Sequence, residues 1–161
     1  MRRNRYLVIM ILLVCGACAL QAATATAAMV VSANIPTSCS ISASSMAFGV
    51  YDPVVTNATL PLDQTAALSV FCTLSASATI TVDEGKNPVT GSTAAAPLRA
   101  MADAGVDRMH YNLYKDSGHA TVWGNTPATG VAYTGTGAGT SVTIYGRVPA
   151  NQTGLDPILF T

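Results

Sequence analysis

An all-β chain folded as an antiparallel sandwich is what this 161-residue sequence predicts, and three observations carry that reading. Thr, Ser, Val, Ala and Gly dominate, and apolar residues recur with period two in short runs. Clusters of Gly, Pro, Asp and Asn punctuate the runs as turns. Two cysteines, Cys39 and Cys72, each lie in such a run, and in an exported chain they read as two strands stapled by a disulfide.

Export is written at the start of the chain. Met1-Arg2-Arg3-Asn4-Arg5 is a basic lead, residues 6–20 are uninterruptedly apolar, and small residues continue to Ala28. That order predicts a secretory signal peptide over residues 1–25, with cleavage as late as 28. The apolar run is shorter than the roughly 20 residues a membrane-spanning helix needs. Cys18 lacks the Leu expected three residues before a lipoprotein cysteine, where Cys15 stands instead. Cleavage removes Cys15 and Cys18, leaving Cys39 and Cys72 as the one available pair. It also removes three arginines. Lys86, Arg99, Arg108, Lys115 and Arg147 then face eight acidic residues, a net charge of −3 with no basic stripe, which argues against a nucleic-acid partner. The remaining residues 26–161 suffice for one domain with its own core.

The elements follow in order. Residues 29–35 alternate and stop at Pro36. Cys39 opens a second run, and Phe48-Gly49-Val50-Tyr51-Asp52-Pro53 carries an aromatic strand end into a turn, since proline donates nothing to a ladder. After a polar spacer, Leu68-Ser69-Val70-Phe71-Cys72 forms the next strand. Residues 75–83 alternate with Ala78, Ile80 and Val82 facing inward, and Glu84-Gly85-Lys86-Asn87-Pro88 turns the chain. Residues 93–101 read as a long loop with one helical turn around Leu98-Arg99-Ala100-Met101. Residues 109–115 form a strand burying Met109, Tyr111 and Leu113. Asp116-Ser117-Gly118 turns it, and Ala120-Thr121-Val122-Trp123 returns as a hairpin. The glycine-rich stretch 135–139 is a loop, and residues 141–148 form a last half-buried strand before Pro149.

Several pieces of this order resemble the spore coat protein U domain family, found in pilin subunits of archaic chaperone–usher pili. They are the Cys39-to-Cys72 segment, Glu84-Gly85 with Leu98-Arg99-Ala100-Met101, Leu113-Tyr114-Lys115-Asp116 with Val122-Trp123-Gly124, and residues 142–152 ending in Pro149-Ala150-Asn151-Gln152. The resemblance implies an incomplete immunoglobulin-like pilin sandwich, one strand short of closure. It implies a periplasmic chaperone that lends the missing strand, an outer-membrane usher, and a neighbouring pilin subunit whose N-terminal extension replaces the chaperone. Residues 26–35 are expected to be that donor segment, with Met29, Val31, Ala33 and Ile35 filling the groove. The product is a fibre on the cell surface, reached through the periplasm and serving adhesion or biofilm formation. The chain departs from the family after Gln152, where a long final strand is expected; Ile158 to Phe160 is too short to supply it, and Pro157 removes a donor at its start.

Chemical motifs point elsewhere only weakly. Asp116-Ser117-Gly118 matches the aspartic-protease triplet, but no second copy exists and Tyr114-Lys115 precede it, so a turn explains it better. His110 and His119 lack Cys or Glu at metal spacing, and Met101 or Met109 would make only a weak site, so no metal is expected. Asp83-Glu84 before Gly85 reads as a solvated turn. No nucleophile elbow or phosphate cradle is present, so neither an enzyme nor a cofactor is expected. The rival class is a secreted monomeric carbohydrate-binding module, with Trp123, Tyr111, Tyr114 and Tyr133 as a stacking platform.

Overall fold

The computed structural model describes residues 24–103, 107–153 and 155. The signal segment and the residues after Leu155 lie outside the described residues, as does most of the segment where the last strand was in question. The chain divides into two units, Met1–Asn34 and Ile35–Thr161. In the first, residues 24–34 form no strand and are exposed.

The second unit is a sandwich of antiparallel strands with no helix among the described residues: β1 (Cys39–Ala43), β2 (Leu62–Cys72), β3 (Ser77–Ile80), β4 (Arg99–Ala102), β5 (Arg108–Tyr114), β6 (Val131–Thr134) and β7 (Gly139–Val148). Five strands form one sheet in the order β1-β2-β7-β5-β4, and β3 pairs with β6 in a second. The alternation sets the faces. On β2, Leu68, Val70 and Cys72 are buried while Ser69 and Phe71 are exposed. On β7, Ile144, Gly146 and Val148 point the same way. The long β2–β7 pairing, Leu62↔Val148 through Phe71↔Gly139, is the spine of the sheet. Ile80 of β3 joins Leu68, Val70 and Ile144 in the core, with Val131 and Tyr133 of β6 packed against it.

Two expectations need correction. Residues 99–102 form strand β4, not a helical turn, because they pair with the edge of β5 in the register Arg99↔Tyr111 to Ala102↔Arg108. That pairing points Arg99 inward, and tertiary context overrides a weak local helix preference. The return of the hairpin after Asp116 shrinks to one bridge, Tyr114↔Val122. Trp123 leaves the strand line to enter the core, where its Nε1 donates to Ile80 O at 2.9 Å.

At the end of the sheet where β2 starts and β7 stops, Met46 and Phe48 cross over Gly146. A Cβ there would collide with both, so the close crossing requires glycine. Gly49 then takes φ +85° and releases the chain into the turn that follows.

Candidate functional site

The site is an apolar groove between two strand edges. Among the described residues, β1 pairs with β2 alone, and β3 with β6 alone. Opposite residues on paired strands share a face. Ile41 and Ala43, opposite the buried Val70 and Leu68, therefore point into the sandwich. Yet all five β1 residues are exposed, and Ile41 keeps 56% of its surface in solvent. A core-facing isoleucine so exposed means that nothing in the described residues covers that part of the inner face.

The groove has a volume of about 680 Å³. One wall is Ile41, Ser42, Ala43 and Ser44, and the other is Ile80, Thr81 and Val82. Ala66, Leu68, Leu113 and Ile144 form the floor, and Met46, Asp83 and Asn125 complete the lining. The lining is apolar along the floor; on the far wall Ile80 O, Val82 N and Val82 O are bonded within the fold, while the outer edge of β1 pairs with no strand among the described residues. That combination suits an extended peptide, whose main chain pairs with an edge while alternate side chains fill the cleft.

Three devices hold the groove open. The first is the Cys39–Cys72 disulfide, formed across the first pair of the β1–β2 ladder with Cα atoms 4.1 Å apart. Ser38 and Thr73 add two hydrogen bonds beside it, Thr73 N to Ser38 O at 2.9 Å and Ser38 N to Thr73 Oγ1 at 3.2 Å. The crosslink closes a loop with a sequence separation of 33, which stabilises by about 3–4 kcal/mol in the chain-entropy model. It anchors an edge strand that has little packing of its own.

The second device is a buried pillar behind the opposite wall. Trp123 is 0% and Arg99 1% exposed. The Arg99 guanidinium donates to Asp83 O at 2.7 Å, Val82 O at 2.9 Å, Trp123 O at 2.7 Å and Asn112 Oδ1 at 2.7 Å. It ties the strand leaving β3 to β4, β5 and the Trp123 turn. Burial lowers the Arg99 pKa from its ordinary value and raises that of neighbouring Tyr111, since both charged forms lose water. The motif pieces around Glu84, Arg99 and Trp123 therefore meet at one point. Nothing in their spacing along the chain shows this meeting; the one signal is a lone arginine between apolar residues.

The third device is a locked corner. Asp52 Oδ1 accepts from the N–H groups of Val54 and Val55, at 3.0 Å each. Buried Asn57 accepts from Asp52 N and donates to Leu60 O. Tyr51 Oη donates to Pro149 O at 2.8 Å and accepts from Gln152 N. The Gln152 amide pairs with the backbone of His110, in the manner of a strand.

Other candidate residues take structural places. The Asp116 carboxylate accepts from Ala120 N and Thr121 N, which lowers its pKa and makes it a turn cap. Asp83 Oδ1 accepts from Gly85 N in the same manner. His110 is exposed, and His119 lies edge-on to Tyr114 and Tyr145. Among the described residues no group of three His, Cys, Asp or Glu could hold a metal. The four aromatics of the sugar-platform reading do not share a surface: Trp123 is in the core, Tyr111 and Tyr133 face inward, and Tyr114 lies on the opposite face. Met29, Val31, Ala33 and Ile35 are exposed and belong to no strand.

Two comparisons bear on the family of the chain. The family model described as the Spore Coat Protein U domain matches residues 25–156. Protein U of Myxococcus xanthus is 45% identical over 139 residues, which cover 82% of this chain and 78% of that relative. With an open antiparallel sandwich and a match spanning most of its length, the chain belongs to the Spore Coat Protein U domain family, as a coat- or pilin-type surface protein.

Proposed function

We propose that the chain is an exported structural subunit of a surface fibre, in which residues 26–35 of one copy add as a strand to the groove of another. The observation that carries this is a core-facing apolar groove walled by two strand edges without ladder partners among the described residues. Left open, such edges template aggregation. This accounts for a periplasmic chaperone that covers the groove in transit and an outer-membrane usher that exchanges it for the next subunit.

The donor fits by length and chemistry. Met29 to Ile35 spans about 20 Å when extended, close to the roughly 17 Å from Cys39 to Ser44 along the rim. Residues 26–35 carry no charge, and Met29, Val31, Ala33 and Ile35 share one face. Direction follows from continuity. A subunit's own tail leaves from its Cys39 end, so in a linear fibre the incoming tail must emerge at the other end, and it runs parallel to β1. The contact is head-to-tail and unclosed, which generates a fibre.

Val31→Asp tests the reading, because it places a carboxylate in the apolar floor at a cost of several kcal/mol. Polymer ladders of the exported protein should collapse to monomer, while the monomer keeps its disulfide and its unfolding midpoint. Ladders that survive both this change and deletion of residues 26–35 rule out donation by this segment.

A further inference from the structure

We infer that the corner loop of residues 49–60 is the seat on which the next copy of this chain rests end to end, its Val54 and Val55 meeting Leu74 of that copy. The inference rests on the strand-donation reading and adds to it a second contact, between bodies rather than through the tail.

The loop exposes Val50, Val54, Val55 and Leu60, at 59 to 88% of their surface. These side chains are not loosely presented. The Asp52 carboxylate holds the amides of Val54 and Val55, Asn57 is 3% exposed and bonded at both ends of the turn, and Tyr51 ties the loop to Pro149. A rigid frame that holds a cluster of valines in water is a surface with a partner.

Its place in the fold names that partner. The loop leads into Leu62, which pairs with Val148, so it caps the end of the sandwich opposite Cys39. That is the end at which the incoming tail emerges. From Ile35 of the tail to Ser38 of its own body is three residue steps, at most about 10 Å. Ser38 is fixed by two hydrogen bonds to Thr73. The next body is therefore delivered with its Cys39 end against this loop. On that end the turn after β2 exposes Leu74, backed by Gly137 and held by Ser75 N to Gly135 O at 2.8 Å. An apolar knob on one end faces an apolar loop on the other, about 10 Å of tether apart.

Cysteine pairs in fibres of the full-length protein test the contact. Val50→Cys, Val54→Cys and Val55→Cys are each combined with Ala138→Cys, an exposed position beside Leu74 and Gly137 at the Cys39 end. At least one pair should give a disulfide-linked ladder after boiling without reductant, and each single variant should give none. A charge swap supplies the second arm. Val54→Asp with Val55→Asp should leave monomer stability and fibre assembly intact but reduce fibre stiffness by electron microscopy, and Leu74→Lys in the same chain should restore it. Absence of a ladder from all three pairs, or stiffness unchanged by the two aspartates, overturns the end-to-end seat. Val31→Asp separates the two claims: ladders from a cysteine pair that persist in that background retain the seat and reject strand donation.

Discussion

The two halves of the sandwich use the same kinds of residue and reach opposite states. Behind β3, Trp123 and Arg99 are sealed, and every guanidinium nitrogen meets a carbonyl or amide oxygen. Across the same inner face, Ile41 on β1 points at the core and remains more than half exposed. Among the described residues, the core is closed around Trp123 and Arg99 and uncovered at Ile41. Burying one more isoleucine would contribute about 2 kcal/mol. On the proposed reading, that contribution goes to an incoming chain, and a preformed groove gains affinity without unfolding to receive it.

Attacking the closed half should give the largest effect. Trp123→Ala removes the side chain that fills the core and should cost about 3–5 kcal/mol. Arg99→Met should approach that figure by a different route, since Val82 O, Asp83 O and Trp123 O lose their donor at about 1–3 kcal/mol each when nothing replaces it. Urea unfolding of the monomer measures both. A loss below about 1 kcal/mol for either would mean that the pillar is not what holds the β3 wall.

The open half should respond in the reverse sense. Ile41→Ser alters a side chain already mostly in water, so monomer stability should move by no more than about 0.5 kcal/mol. Filling the groove buries that side chain, and there the same change should cost about 1–1.5 kcal/mol, close to a tenfold weaker fit for a peptide spanning residues 26–35. Calorimetric titration of the monomer with that peptide gives the number. Equal effects on folding and on binding would erase the distinction between the halves.

The same contrast explains what could be read from sequence. β3, β5 and β7 were legible because one face is buried and the other wet, so alternation marks them; Ile80, Met109 and Ile144 fall where period two puts them. The first half of β2 looked like a polar spacer, because Asp63, Gln64 and Thr65 are exposed and their place is set by backbone pairing with β7. β4 and β6 are four residues each, too short for periodicity to separate from a loop. Trp123 reads as the end of a hairpin strand and lies in the core. For Arg99 the sequence shows only a lone arginine between apolar residues, since its acceptors come from three distant segments that only the fold brings together. An open sandwich was an expectation from the family resemblance; no spacing in the sequence marks a strand edge as unpaired.

The smallest effect belongs to the outer face, where neither state applies and solvent screens what is built. Asp63 and Arg147, opposite each other on β2 and β7, form two hydrogen bonds of 2.7 Å. These bonds outweigh partial burial and hold the Asp63 carboxyl below its ordinary pKa. A carboxyl whose pKa falls on folding adds stability above its unfolded value, near 3.9, and loses it as pH drops through the lower folded value. Asp63→Asn should therefore cost stability at pH 7, and the difference from the parent should shrink below about pH 4 and vanish at lower pH. Asp63 is 42% exposed, so the cost at neutral pH should be only about 0.2–1 kcal/mol and should fall further in high salt. Unfolding midpoints from pH 2 to 7 check both size and sign. A cost that grew toward acid pH would place the stabilisation on another group, and one above about 2 kcal/mol would make this pair as structural as the buried pillar.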